Sequence, residues 1–220
     1  MSTCTIFAGG KLNSTDFINP QEIAQNSDFI ICADSGLRIA EKICITPDLI
    51  VGDFDSYTGE LPEDIEIYRS VPEKDDTDTL MAVRIALDRG YSDIRLYGGL
   101  GARFDHSYAN IQTLIFAHEN GGKMTIYDSE NILTVRGAGE YEFPHKPDWY
   151  FSLFALTEKA FIGKLKGVKY PLESYEMSIA YPIGVSNEIT ADKAYLRINS
   201  GLVLVIESKK ERVAVKVMIV

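Results

Sequence analysis

Three apolar, strand-like runs in the first half of the chain are each followed by one or more aspartate residues. They end at residues 33, 51 and 71, and the aspartates that follow are, in order, Asp34; Asp53 and Asp55; and Asp75, Asp76 and Asp78. In an open α/β sheet the loops that follow parallel strands lie along one edge, where ligands bind. We therefore expect carboxylates that are far apart in the sequence to converge at such an edge.

Strand and helix signals alternate along the first half of the chain, as expected for a parallel sheet built from βαβ units. The helix that begins at Pro20 is well marked, because Asn19 is a good N-cap and Glu22 can close a capping box. Another helix carries an apolar stripe over residues 77–89, and Gly90 is its natural C-terminal stop. The pattern predicts strands at 3–8, 29–33 and 94–97 and helices from 20 and at 37–43, 77–89 and 105–120.

Helical periodicity disappears after about Tyr127, and short strand-like segments follow. These segments lie at 132–135, 150–156, 195–198 and 202–206. Residues 199–201 predict a tight hairpin between the last two segments. We therefore predict an α/β domain at 1–128 with a mostly parallel, Rossmann-like sheet, followed by an all-β sandwich domain at 129–220.

The charge balance excludes several kinds of partner. Lysine and arginine total 22 against 32 aspartate and glutamate residues, which gives a net charge of −10. Such a chain is not expected to bind nucleic acid or an anionic membrane nonspecifically. No segment approaches the roughly 18 apolar residues that a membrane span requires, and the 3 cysteines form no CxxC pair. We expect a soluble, unprocessed protein of the reducing cytoplasm.

Asp53 and Asp55 are separated by one residue, so both carboxylates can face the same side of an extended turn while Phe54 points into the core. Such a pair can hold a hard cation such as magnesium. An aspartate that follows a strand can also cap a turn or a helix. The recurrence of aspartate at several strand ends favours the metal site.

Other polar residues near these aspartates can each have a structural role or a role in ligand binding. Lys74 and Arg103 can reach a phosphate or balance a neighbouring carboxylate. Thr77 and Asp78 can act as the N-cap and first-turn acid of their helix, and Asp105 can cap the following helix. Residues 98–101 form a glycine-rich loop that permits close approach of a ligand but match no P-loop or dinucleotide fingerprint. The histidines show no metal-ligand spacing and are interpreted as ordinary helical or loop residues: His106, His118 and His145.

Taken together, the motifs closely resemble those of the thiamine pyrophosphokinase family, in the form found in its bacterial members. The motifs of the first half lie at residues 33–36, 52–56, 74–78 and 98–106. The resemblance continues through residues 167–172 and 185–188, so it covers nearly the whole chain. Lys74 stands where some members of this family, notably the eukaryotic ones, have glutamine.

The resemblance implies a homodimer with active sites in clefts between subunits, and a reaction in which ATP and thiamine give AMP and thiamine diphosphate. It implies that the first domain binds ATP and metal and that the second contributes to thiamine binding and dimerisation. Magnesium would be held by Asp53, Asp55 and Asp78, with Asp34 nearby. The implied phosphate-site residues are Lys74, Thr77, Arg103 and Asp105, and the implied thiamine-pocket residues are Ser186 and Asn187.

Two other functions remain open at this point. A magnesium-dependent phosphohydrolase is the first, because residues 53–56 superficially resemble the DxDx motif of haloacid-dehalogenase-type phosphatases. That motif normally follows the first strand of its domain, whereas here it follows the third strand-like run. The second is a non-catalytic nucleotide- or thiamine-binding module, since a site can keep its shape after it loses its chemistry.

Replacement of Asp55 by asparagine tests the magnesium assignment. The change removes one metal-binding charge, so turnover should fall greatly while the fold stays intact. Steady-state kinetics over a magnesium titration would measure the effect. Near-normal activity at saturating magnesium would exclude Asp55 as an essential ligand.

Overall fold

The computed structural model describes residues 2–10, 12, 14–53, 62, 64–69, 76–101 and 103–211. Asp55 and Lys74 lie outside these residues, so the predictions made for them stay predictions. The chain divides between Arg136 and Gly137 into two compact units, which are called the first and second unit below. Among the described residues, no helix combines the length and hydropathy that a membrane span requires.

The first unit is built on a mostly parallel sheet. Its strands are β1 (Thr3–Phe7), β2 (Phe29–Ala33), β3 (Leu49–Gly52), β4 (Glu66–Arg69), β5 (Asp93–Tyr97), β6 (Lys123–Tyr127) and β7 (Asn131–Arg136). Their spatial order is β4-β3-β2-β1-β5-β6-β7, and only the β6–β7 pair within this order is antiparallel. The predicted α/β architecture is therefore confirmed.

Helices connect these strands, and local sequence explains where they begin. They are α1 (Pro20–Asn26), α2 (Leu37–Lys42), α3 (Asp78–Asp88) and α4 (Phe104–Glu119). The Asn19 side chain accepts hydrogen bonds from the N–H groups of Gln21 and Glu22, as the N-cap signal predicts. Thr77 caps α3 in the same way, with its hydroxyl oxygen 3.2 Å from the N–H of Leu80.

Burial on both faces of the central strands explains their continuous apolar sequence. Every residue of β1 and β3 is buried, which is the usual condition of a parallel sheet covered by helices. Ile23 of α1 and Leu37 of α2 pack in one cluster with Phe7 of β1. This core fixes the strand ends that carry the polar loops.

The second unit contains β strands and no helix among its described residues. Its strands are β8 (Gly139–Pro144), β9 (Trp149–Ala155), β10 (Lys159–Lys166), β11 (Leu172–Ser178), β12 (Lys193–Ser200) and β13 (Val203–Lys209). One layer has the order β11-β10-β12-β8, and β9 pairs with β13 in the other. Buried side chains from both layers, such as Phe151 and Ile162, form one core. The predicted all-β sandwich is confirmed.

The predicted hairpin at residues 199–201 is wrong. β12 pairs with β10 and β8, whereas β13 pairs with β9 in the other layer. The turn therefore carries the chain from one layer of the sandwich to the other. Gly201, with φ of 81°, reverses the chain as expected. Turn residues specify the reversal, but contacts distant in sequence select the partner strand.

Candidate active site

A cavity of about 520 Å³ opens at the strand ends of the first unit. Its walls come from the loops after β1, β2, β3 and β5 and from the first turns of α3 and α4. Parallel strands bring these loops to one edge of the sheet. The predicted site residues that line the cavity are Asp34, Asp53, Thr77, Asp78 and Arg103, and Asp76 joins them.

Asp34 has an unusual backbone conformation at the end of β2. Its φ is 48°, in the left-handed region that residues other than glycine rarely adopt. Aspartate tolerates this region better than most residues, and such conformations cluster at functional sites. Gly52 lies so close that an added Cβ would stand 3.2 Å from the Cα of Asp34. The packing therefore fixes the position of this carboxylate-bearing residue.

Glycines form a second wall of the cavity. The N–H of Gly10 donates to the carbonyl oxygen of Gly98 at 2.9 Å, which joins the loop after β1 to the loop after β5. A Cβ on Gly10 would collide with that same oxygen and with the carbonyl oxygen of Leu100. Gly98 itself has φ of 72°. The close approach therefore requires glycine at both positions, and it leaves backbone groups at the cavity surface.

Asn110 anchors this glycine wall from α4. Its side chain is buried, and its Nδ2 donates to the carbonyl oxygen of Gly99 at 2.7 Å. The bond joins the glycine-rich loop to the helix that follows it. Sequence reasoning missed Asn110, because an asparagine within a helix carries no local signal of a bond to a preceding loop.

Other cavity residues were also missed. Gly9 and Gly10 follow β1 just as the aspartates follow the next strands, so their position at a strand end was an available signal. His106 and Ser107 line the cavity from the first turns of α4. His106 lies on a helix, as the sequence predicts, but helical periodicity does not reveal which side of α4 faces the cavity.

Arg103 and Asp105 form an ion pair at the beginning of α4. Nη2 of Arg103 lies 2.6 Å from Oδ2 of Asp105, and Nε lies 3.2 Å from Oδ1. This hydrogen bonding lowers the pKa of Asp105 and raises the pKa of Arg103. Both side chains are largely exposed. The carboxylate of Asp105 therefore holds the guanidinium of Arg103 by two hydrogen bonds.

The donor chemistry of the cavity fits magnesium bound together with phosphate. Asp34, Asp53 and Asp78 offer carboxylate oxygens, and magnesium usually takes one or two carboxylates plus substrate phosphates and water. Within the described ranges, which exclude Asp55, no group of three or more His, Cys, Asp or Glu residues is close enough to hold a metal by itself.

The remaining predicted residues lie in the second unit. Asn187 is buried; its Oδ1 accepts from the N–H groups of Tyr170 and Glu188, and its Nδ2 donates to the carbonyl oxygen of Tyr170. Its amide is thus used to join two backbone segments. Ser186 has φ of 57°, and its N–H donates to Oγ of Ser152 at 3.0 Å.

These observations describe a cavity of the kind that α/β proteins use for phosphate-bearing ligands, with a β-sandwich in the same chain. Comparisons with known proteins identify the family. The model for "Thiamin pyrophosphokinase, catalytic domain" matches residues 20–126. The model for "Thiamin pyrophosphokinase, vitamin B1 binding domain" matches residues 140–203. The chain belongs to the thiamine pyrophosphokinase family.

Individual relatives agree over nearly the full length. A thiamine pyrophosphokinase from Bacillus subtilis is 28% identical over 216 residues, which cover 94% of this chain and 99% of the relative. A solved B. subtilis thiamine pyrophosphokinase structure superposes with a TM-score of 0.84 at 26% identity, covering 96% of this chain and 100% of that one. The solved structure of a thiamin pyrophosphokinase family protein from Enterococcus faecalis superposes with a TM-score of 0.82 at 28% identity, covering 96% of this chain and 100% of that one.

Replacement of Asn110 by alanine tests the anchor of the glycine wall. The change leaves the carbonyl of Gly99 without this buried donor, so we expect stability to fall by about 2 kcal/mol in urea denaturation. ATP turnover should fall about tenfold, because the loop is no longer held in place.

Asn120, the C-cap residue of α4, provides a matched control. Its Nδ2 makes an equivalent bond to the carbonyl oxygen of Phe116 at 2.8 Å, but in an exposed position. Asn120→Ala should change stability by less than about 0.5 kcal/mol. Equal losses in the two variants would contradict a special role for Asn110.

Proposed function

We propose that this chain transfers the terminal diphosphoryl group of ATP to the hydroxyl group of thiamine. The thiamine oxygen attacks the β-phosphorus, the bond between that phosphorus and the α,β-bridging oxygen breaks, and AMP leaves. The hydroxyl proton is released in the same reaction. The observation that carries the proposal is the shared cavity of Asp34, Asp53, Asp78 and Arg103 in a chain of this family.

The proposed site works mainly through alignment and charge neutralisation, which is what phosphoryl-type transfer requires of a protein. Asp53, Asp55 and Asp78 would hold magnesium, with Asp34 nearby. When bound, the metal neutralises charge on the phosphate oxygens. Asp53 and Asp78 come from different elements of the first unit, so together they can orient one polyphosphate from two sides.

Cationic and hydroxyl groups would complete the phosphate site. Arg103 reaches the cavity while Asp105 holds its guanidinium, and this pairing suits an arginine that binds phosphate oxygens. Lys74 would add a second positive charge. Thr77 caps α3 and lines the cavity, so capping and ligand contact can coexist. Asp105 would orient Arg103 through the two hydrogen bonds between their side chains.

The second unit would supply part of the thiamine pocket. Ser186 would contact thiamine. The amide of Asn187 is bonded to the backbone of Tyr170, so Asn187 would contribute by holding Tyr170 in place. We assign ATP and metal binding to the domain at 1–128 and thiamine binding and dimerisation to the domain at 129–220.

A short segment with exposed apolar side chains, residues 181–185, supports the proposed homodimer. Its Tyr181, Ile183 and Val185 are 63%, 47% and 49% exposed. The backbone of this apolar segment is bonded to β9, since the N–H of Leu153 donates to the carbonyl oxygen of Gly184 at 2.9 Å. A fixed group of exposed apolar side chains is typical of an interface. We propose that it packs against a second copy, with active sites in clefts between subunits.

Cysteine chemistry supports a reducing cytoplasm as the place of action. Cys4 and Cys32 are free and buried, and burial raises the pKa of both thiols. Buried thiols with raised pKa values are chemically inert. They serve as core residues and need no disulfide.

The reaction is tested by incubating the protein with ATP, magnesium and thiamine and following all products by phosphorus NMR. We expect AMP and thiamine diphosphate to appear in equal amounts and only when thiamine is present. Phosphate release without thiamine would instead indicate the phosphohydrolase. Ligand binding without turnover would indicate a binding module, and ADP with thiamine monophosphate would indicate attack at the γ-phosphorus.

The dimer is tested by Val185→Asp in sedimentation velocity. A charge in the apolar segment 181–185 should shift a wild-type dimer to monomer, because a carboxylate is costly to bury in an interface. Tyr68→Asp is the control, since Tyr68 is similarly exposed at 48% but lies on β4 of the first unit. A monomeric wild type, or a Val185→Asp variant that remains dimeric, would contradict the proposed interface.

A further inference from the structure

The carboxylate of Asp76, one of the cavity residues, pairs with an arginine of α3. Nε of Arg84 lies 3.1 Å from Oδ2 of Asp76. Asp76 lines the cavity just before the N-cap of α3, and its side chain is 24% exposed. Arg84 is not among the residues that line the cavity. The arginine therefore reaches back toward the beginning of its own helix to pair with a cavity residue.

Arg84 also contacts the opposite helix. Its guanidinium carbon lies 5.0 Å from the centre of the Phe116 ring on α4, within the distance of a cation–π contact. The first turns of α3 and α4 form two walls of the cavity. Arg84 thus contacts both Asp76, just before α3, and Phe116 on α4. The ring of Phe116 limits the positions that the guanidinium of Arg84 can take.

The ion pair between Arg84 and Asp76 affects the total negative charge of the cavity. Asp34, Asp53 and Asp78 already line the same cavity, and an ATP phosphate chain would bring further negative charge. An additional unpaired carboxylate at Asp76 would repel that chain. We propose that Arg84 is a positioning residue for ATP: by pairing with Asp76, it removes the repulsion that this carboxylate would exert on the phosphates. This role rests on the proposed ATP-dependent function.

The test is equilibrium binding of ATP, measured by calorimetry with and without magnesium. Arg84→Met keeps an unbranched side chain but removes the charge, so ATP should bind about fivefold more weakly. The loss should shrink at high salt, because mobile ions screen a partly exposed carboxylate. Arg84→Lys preserves the charge and should bind ATP within about twofold of the wild type.

A charge-balanced double variant separates this role from simple loss of a cation. Arg84→Met combined with Asp76→Asn has the same net charge as the wild type, and its ATP affinity should return to within about twofold. If the double variant binds as weakly as Arg84→Met alone, Arg84 does not act through Asp76. Wild-type affinity in Arg84→Met would overturn the proposal outright.

Arg89→Met, at the C-cap of α3, is the matched control. Arg89 pairs with Glu66 at 2.6 Å, so its loss also frees one carboxylate. It lies beyond the other end of α3, roughly 16 Å along the helix from the first turn, and should leave ATP affinity unchanged. Failure of the proposed function is distinguishable, because the wild type would then form no thiamine-dependent AMP. If the wild type is active but the ATP affinities of these variants differ from those expected, only the role of Arg84 is overturned.

Discussion

Parallel pairing of β1 with β2 on one side and with β5 on the other is the constraint on which the candidate site depends. It brings the loops after these strands to a single edge. The bond between Gly10 and Gly98 then joins two of the loops directly. The cavity is therefore a consequence of strand order and close backbone contact, and its carboxylates are carried by a buried, rigid core.

Much of the fold was predictable, because its signals are local. Asn19 and Thr77 cap the helices they precede, and both signals are visible within a few residues of sequence. The continuous apolar runs likewise indicated strands buried on both faces. The hairpin after β12 was predicted wrongly, since β13 chooses a partner about fifty residues away in sequence and no turn residue specifies such a partner.

Membership of the candidate site was only partly predictable, for a related reason. Strand ends indicated Asp34 and Asp53, but the sequence could not show that Asn110 reaches back to Gly99 or that Arg84 holds Asp76. These contacts depend on how helices pack. The sequence also did not reveal that the amide of Asn187 is bonded to the backbone of Tyr170 and Glu188.

We propose that carboxylates from separate strand ends and from α3 bind one metal–triphosphate. Anomalous diffraction from crystals grown with Mn²⁺ and a non-hydrolysable ATP analogue tests this proposal. We expect a manganese peak inside the cavity, within coordination distance of a carboxylate oxygen of Asp53 or Asp78. A manganese peak outside the cavity, or one inside it that no aspartate contacts, would rule the proposal out.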